Sequence, residues 1–140
     1  MSRLVVLFAV ASAAAAADPA AWPQFRGPGG AGVADGQHLP TKIGPDTNVK
    51  WKAAVPPGFS SPVVVGDKLV LTAFDGGKLV TIALSATDGT ELWRKDSGAT
   101  KIEAFHKTEG SPAASTPATD GERVVVYFGS CGLICYDLSG

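Results

Sequence analysis

Ser60-Ser61-Pro62-Val63-Val64-Val65-Gly66-Asp67-Lys68-Leu69-Val70-Leu71 has a later counterpart in Ser115-Thr116-Pro117-Ala118-Thr119-Asp120-Gly121-Glu122-Arg123-Val124-Val125-Val126. Pro62 aligns with Pro117, Gly66 with Gly121 and Gly77 with Gly132, each at an offset of 55, whereas Leu84 aligns with Leu138 at 54. Tryptophan sets a second register: Asn48-Val49-Lys50-Trp51-Lys52 parallels Thr90-Glu91-Leu92-Trp93-Arg94, with the two indoles 42 residues apart. A period of about 40–45 residues is the length of one four-stranded propeller blade. The registers differ by 13 residues, and an insertion of that length falls between Trp93 and Pro117.

Each unit reads as four short strands separated by glycine turns. Ser60–Val65 leads into Gly66-Asp67, a two-residue turn with glycine first, as a type II′ hairpin requires. Lys68–Phe74 follows, then Asp75-Gly76-Gly77, then Lys78–Leu84 with Val80, Ile82 and Leu84 alternating against Leu79, Thr81 and Ala83. Asp88-Gly89 turns into Thr90–Lys95. The second unit repeats the pattern with Val124–Phe128, the Gly129–Gly132 turn and Leu133–Leu138, and stops at Gly140 before a fourth strand. Asn48–Val55 is expected to be a strand as well, with Trp51 in the role that Trp93 plays one unit later. Lys68–Phe74 is apolar on both faces, which suits a sheet covered from two sides. The fold class is therefore all-β: a β-propeller of four-stranded antiparallel blades, here truncated to one full blade plus most of a second. A small β-sandwich with coincidental internal similarity is the competing reading.

The beginning of the chain has the form of a signal peptide over residues 1–17. Arg3 supplies the positive end, Leu4 to Ala17 is apolar or small apart from Ser12, and Ala15-Ala16-Ala17 offers a small-residue cleavage site before Asp18. That stretch is shorter than the roughly 18–20 apolar residues that span a bilayer. Residues 18–47 read as an irregular, Gly/Pro-rich segment and residues 48–140 as the partial propeller. The mature chain is thus expected to be exported, periplasmic or secreted, without a transmembrane segment. No cysteine follows the apolar stretch, so no lipid anchor is expected. The 12 basic and 13 acidic residues balance to a formal charge of −1, which offers no footprint for nucleic acid. Cys131 and Cys135 would stand roughly 13 Å apart on an extended strand, too far for a disulfide. They read as small, partly buried residues beside a turn.

Ala83-Leu84-Ser85-Ala86-Thr87-Asp88-Gly89-Thr90-Glu91-Leu92-Trp93 resembles the tryptophan-docking motif of the quinoprotein (PQQ-like) propeller repeat family, Ala-x-Asp-x-x-Thr-Gly-Lys-x-x-Trp. Ala83, Gly89 and Trp93 match it, and Ser85, Asp88 and Thr90 depart from it. The resemblance implies that Gly89 makes a tight turn and that Trp93, with Trp51 one unit earlier, packs between neighbouring blades. An ordinary core role for Trp93 implies the same burial. Trp22-Pro23-Gln24-Phe25-Arg26-Gly27-Pro28 and the closing Tyr127–Gly140 stretch are similar to exported relatives. The first reads as an irregular segment pinned onto the propeller.

The family implies two functional classes, and the fold does not choose between them. Dehydrogenases of the family bind pyrroloquinoline quinone and Ca²⁺ over the centre of the propeller. This sequence has neither their adjacent cysteine pair nor an acidic cluster that aligns with the calcium ligands. Non-catalytic scaffolds, such as the propeller of the outer-membrane assembly machinery, bind protein partners or other cell-envelope components. The scaffold class is favoured here, with no catalytic residue, no metal ligand and no cofactor evident. The N-terminal part of a PQQ-dependent alcohol or sugar dehydrogenase is the alternative, with quinone and calcium held by further blades. Alternation of strand direction puts the Arg94–Ala114 connection on the same face as Asp75-Gly76-Gly77 and Gly129–Gly132. Long loops on rigid scaffolds carry function, so His106 and Glu109 are the binding candidates. The alternative is a solvated loop packed by Phe105.

Overall fold

Gly66, Gly76 and Gly77 all take positive φ (55°, 54° and 88°), the left-handed region that a side chain resists, and they fix where the chain reverses. The computed structural model describes residues 21–34 and 39–140. The expected signal peptide lies outside the described residues, as do Asp18 and Asp35, which read from the sequence as turn or start-of-segment residues, and His38, which reads as a surface residue. Four strands follow one another across the first sheet: β1 (Val63–Val65), β2 (Lys68–Asp75), β3 (Lys78–Ser85) and β4 (Glu91–Asp96). Every neighbouring pair is antiparallel, with Val65 opposite Lys68 and Asp75 opposite Lys78 across the two-residue turns. The second sheet holds β5 (Ala118–Thr119), β6 (Arg123–Phe128) and β7 (Gly132–Asp137) in the same order. Among the described residues the only helical element is the single 3-10 turn Pro28–Gly30. The all-β class and the strand order agree with the sequence reading.

Several boundaries and one equivalence are corrected. The first strand begins at Val63 because Ser60 does not pair as a strand residue. Its Oγ instead donates to the Thr72 carbonyl (3.1 Å) and accepts the Thr72 amide (3.0 Å). Asn48–Val55 is not a strand. Asn48 sits at φ 57°, and no described strand edge lies beside the segment to pair with it. The two central hairpins also differ in length: β2 and β3 have eight residues each, β6 and β7 six. Lys68 faces Ser85 and Arg123 faces Asp137, so the offset contracts from 55 at the start of the hairpin to 52 at its end. The equivalence of Leu84 with Leu138 therefore fails. Ala83 corresponds instead to Cys135, the partners of Val70 and Val125 respectively.

Strand alternation builds the core. Val63, Val65, Val70, Leu79 and Ala83 from the first sheet meet Ala113, Val124, Val126 and Phe128 from the second sheet and its approach loop. On the other face of the first sheet, Ala73, Val80, Ile82 and Leu84 form a separate buried cluster. β3 is consequently buried on both faces from Leu79 to Leu84. β6 alternates instead, with Val124, Val126 and Phe128 inside and Arg123, Val125 and Tyr127 exposed. Cys131 and Cys135 are free and exposed, not partly buried, because Cys135 lies on that outward face of the second sheet.

Thr81 lies in the middle of this core with no exposed surface, and its Oγ1 has no hydrogen-bond partner among the described residues. A buried hydroxyl without a partner costs on the order of 1–3 kcal/mol. Thr81→Val keeps the shape and removes the polar atom, so it is expected to raise stability by about 1 kcal/mol. Urea unfolding of both chains measures this, and an unchanged or lower midpoint contradicts the reading.

Candidate functional site

Two indoles dock by the same geometry, Trp93 of the first sheet on the second unit and Trp51 of an irregular segment on the first. Trp93, on β4 opposite Ala83, donates Nε1–H to the Leu138 carbonyl at 3.1 Å, and its ring lies 5.7 Å from that of Tyr136. A Cβ placed on Gly140 would stand 3.0 Å from the Trp93 ring. Trp51 repeats this one unit earlier: its Nε1–H donates to the Ala86 carbonyl at 3.0 Å, and a Cβ on Gly89 would meet its ring at 2.5 Å. Ala86 and Leu138 are equivalent, each following the last residue of its hairpin, Ser85 or Asp137. Trp51 thus repeats the donor geometry of Trp93 from a segment that is not a strand. Gly89 is buried at φ 77°, so both its backbone and the indole require glycine there.

The insertion after β4 crosses from one sheet to the other. Ser97 donates its amide to the Leu79 carbonyl at 2.9 Å as the loop leaves the first sheet. Phe105 then packs edge-on against Phe74, with ring centroids 5.6 Å apart, at the β2–β3 end of that sheet. Glu103 donates its amide to Ser130 Oγ at 3.0 Å, and its carboxylate lies over Gly129 in the β6–β7 turn. Ile102 packs on the inter-sheet cluster, and Pro112 and Ala113 are buried where the loop returns. The loop therefore shares a face with both turns, as the alternation of strand direction implied.

His106 and Glu109 stand at the outer bend of this loop. Their side chains are 67% and 83% exposed, with Nδ1 of His106 4.0 Å from a Glu109 carboxylate oxygen. Thr108 Oγ1 lies 3.0 Å from the same Nδ1, and Gly110 donates its amide to the His106 carbonyl at 2.8 Å. The structure brings the two candidates together as neighbours on an exposed turn. Among the described residues no group of three or more His, Cys, Asp or Glu converges to hold a metal. The acidic groups are spread over turns and ion pairs, such as Arg94 with Asp75 and Glu91 and Lys78 with Asp96.

Sequence reasoning missed the way the opening segment is held. Trp22 exchanges two backbone hydrogen bonds with Val64 at 3.0 and 2.9 Å, and the Pro23 carbonyl accepts the Thr119 amide at 2.8 Å. Among the described residues the segment is irregular and is pinned onto both sheets. Its partners could not be read because a single bridge leaves no alternation in the sequence.

Backbone amides hold Asp88 (from Thr90) and Asp120 (from Arg123, then Glu122) below the ordinary carboxylate range, and the Ser139 hydroxyl and amide do so for Asp137. A carboxylate with a depressed folded pKa stabilises the fold above the unfolded value and loses that contribution as pH falls through the folded value. Thermal stability is therefore expected to hold at neutral pH and to decline below about pH 4. The decline should be shallower in the Asp88→Asn, Asp120→Asn, Asp137→Asn chain, and an equally steep one in a pH series of melting curves contradicts this. Gly89→Ala is expected to cost about 2 kcal/mol or more from the left-handed backbone alone. It should also displace Trp51, read as a change in indole fluorescence.

No individual curated protein matches the chain. No helix among the described residues is long and apolar enough to cross a membrane. Residues 33–140, well over half of the chain, match the PQQ-like repeat family described as outer membrane protein assembly factor BamB, and the chain belongs to that family.

Proposed function

We propose that the two sheets are consecutive blades of a PQQ-like propeller, and that the exported protein is a non-catalytic scaffold which binds a protein of the cell envelope. The binding surface is the face bearing the insertion loop. The family description, an outer membrane protein assembly factor, supports the scaffold reading. The repeated indole docking supports the blade reading, because Trp51 enters the first sheet as Trp93 enters the second.

One observation carries the choice of face. The insertion is pinned at Phe74 on one sheet and Ser130 on the other, so its exposed bend is held on a rigid base across their junction. Rigid presentation lowers the ordering cost of binding. His106 and Glu109 supply a hydrogen-bonding imidazole and a carboxylate at that bend.

A photo-crosslinker at His106 or Glu109, in cells that make the protein, is expected to capture one and the same envelope protein. A crosslinker at Glu122, exposed at the opposite end of β6, is expected to capture none. The double variant His106→Ala, Glu109→Ala should weaken binding of that partner by about tenfold. Unchanged affinity would return the loop to a purely structural role. Dye-linked alcohol oxidation on addition of pyrroloquinoline quinone and Ca²⁺ would establish the dehydrogenase alternative instead.

A further inference from the structure

The approach segments to β1 and β5 run side by side in the same direction. Phe59 donates its amide to the Ala113 carbonyl at 3.0 Å, and Ser61 donates its amide to Thr116 Oγ1 at 3.0 Å. Further along, the two inner strands are bonded through a third segment. Val64 of β1 exchanges both backbone hydrogen bonds with Trp22, and Thr119 of β5 donates to Pro23. The dipeptide Trp22–Pro23 is thus wedged between the inner edges of both sheets. Each edge would otherwise present unpaired backbone groups to an incoming strand. Proline has no amide hydrogen, so the ladder cannot extend past it.

The wedge is held by its own loop. A Cβ on Gly27 would stand 2.6 Å from the Trp22 ring, so that buried glycine is the floor on which the indole rests. Gly27 has φ 70° and donates to the Gln24 carbonyl at 2.9 Å, and Gly32 donates to the Arg26 carbonyl at 2.7 Å, folding the chain back on itself. These residues precede the family match, which begins at residue 33.

We propose that the inner edges of β1 and β5 form a strand-accepting site that the chain fills with its own Trp22–Pro23. The ligand class of the site is an extended peptide with an aromatic residue directly before proline. Main-chain pairing gives such sites their affinity and a side-chain seat gives them selectivity. The site is closed while the intramolecular segment is seated and opens when it leaves.

Amide hydrogen exchange tests this in the whole chain, with Ser97, bonded to Leu79, as a control remote from the wedge. In the native sequence Val64 and Thr119 should be protected, and an added peptide of residues 21–32 should not bind. In Gly27→Val the new side chain collides with the indole, and the Val64 and Thr119 amides should exchange at least about tenfold faster while Ser97 is unchanged. Adding the 21–32 peptide should restore their protection, and the same peptide with alanine in place of its tryptophan should not. Retained protection in both Gly27→Val and Trp22→Ala, or failure of the peptide to restore it, would overturn the proposal. If Gly27→Val also loses Ser97 protection, Trp22→Ala provides the same readout. General loss in both variants would show an integral part of the fold rather than a detachable wedge.

Discussion

Two apolar faces on one sheet cannot both be dried by that sheet, and this constraint governs the molecule. β3 is buried without interruption from Leu79 to Leu84, so it needs cover on both sides. One cover is the second sheet, whose Val124, Val126 and Phe128 fill the space over Val70, Leu79 and Ala83. Burying one such side chain contributes about 1.5–3 kcal/mol, and the interface gathers nine buried residues into one cluster. Hairpins of this length are marginal alone. The sheets are therefore stable as a stack, and the remaining features can be understood as ways of holding that stack in register.

Apolar contact has no directional preference, so something else must fix how one sheet sits on the next. Trp93 does this between the sheets, and Trp51 seats the segment before the first sheet in the same way. Each ring has a single N–H, and that donor finds one carbonyl, of Ala86 or Leu138, past the end of a hairpin. Each ring also lies on a glycine, Gly89 or Gly140, where a Cβ would intrude. A hydrogen bond and a close approach together admit only one seating. The insertion loop adds two further ties at one end of the stack, Phe105 on Phe74 and Glu103 on Ser130.

What could be read from the sequence is what repeats. Glycine turns and two-residue alternation gave the strands of the two sheets and their order, and the indole spacing marked the repeat, whereas the carbonyls and glycines that receive the indoles came only from the structure. Ends and exceptions were not legible. β1 starts late because the Ser60 side chain takes over backbone pairing at Thr72, a competition that composition does not reveal. Asn48–Val55 has strand-like residues and the right tryptophan, but a strand exists only beside another edge. The shortening of the second hairpin hid behind matching glycines, since Gly77 lies in a turn and Gly132 opens β7. Exposure of His106 and Glu109 was compatible with the sequence, whereas the bridging position of their loop required knowing that Phe74 and Ser130 lie at the same end of two sheets.

The sheet edges show how the same constraint is handled where there is no stack. The outer strand β4 is almost wholly exposed and carries Glu91, Arg94, Lys95 and Asp96, charges that oppose pairing with a stray strand. The inner strands β1 and β5 carry no such charge and are closed instead by Trp22–Pro23. The outward face of the second sheet follows neither device. Val125, Tyr127 and Leu133 are exposed there, Leu133 at 73%, together with Cys135. In strand register Val125 and Cys135 occupy the places of Val70 and Ala83, the pair that the second sheet covers in the first. The same strand positions are therefore covered in the first sheet and open in the second, where aliphatic side chains and a thiol face solvent.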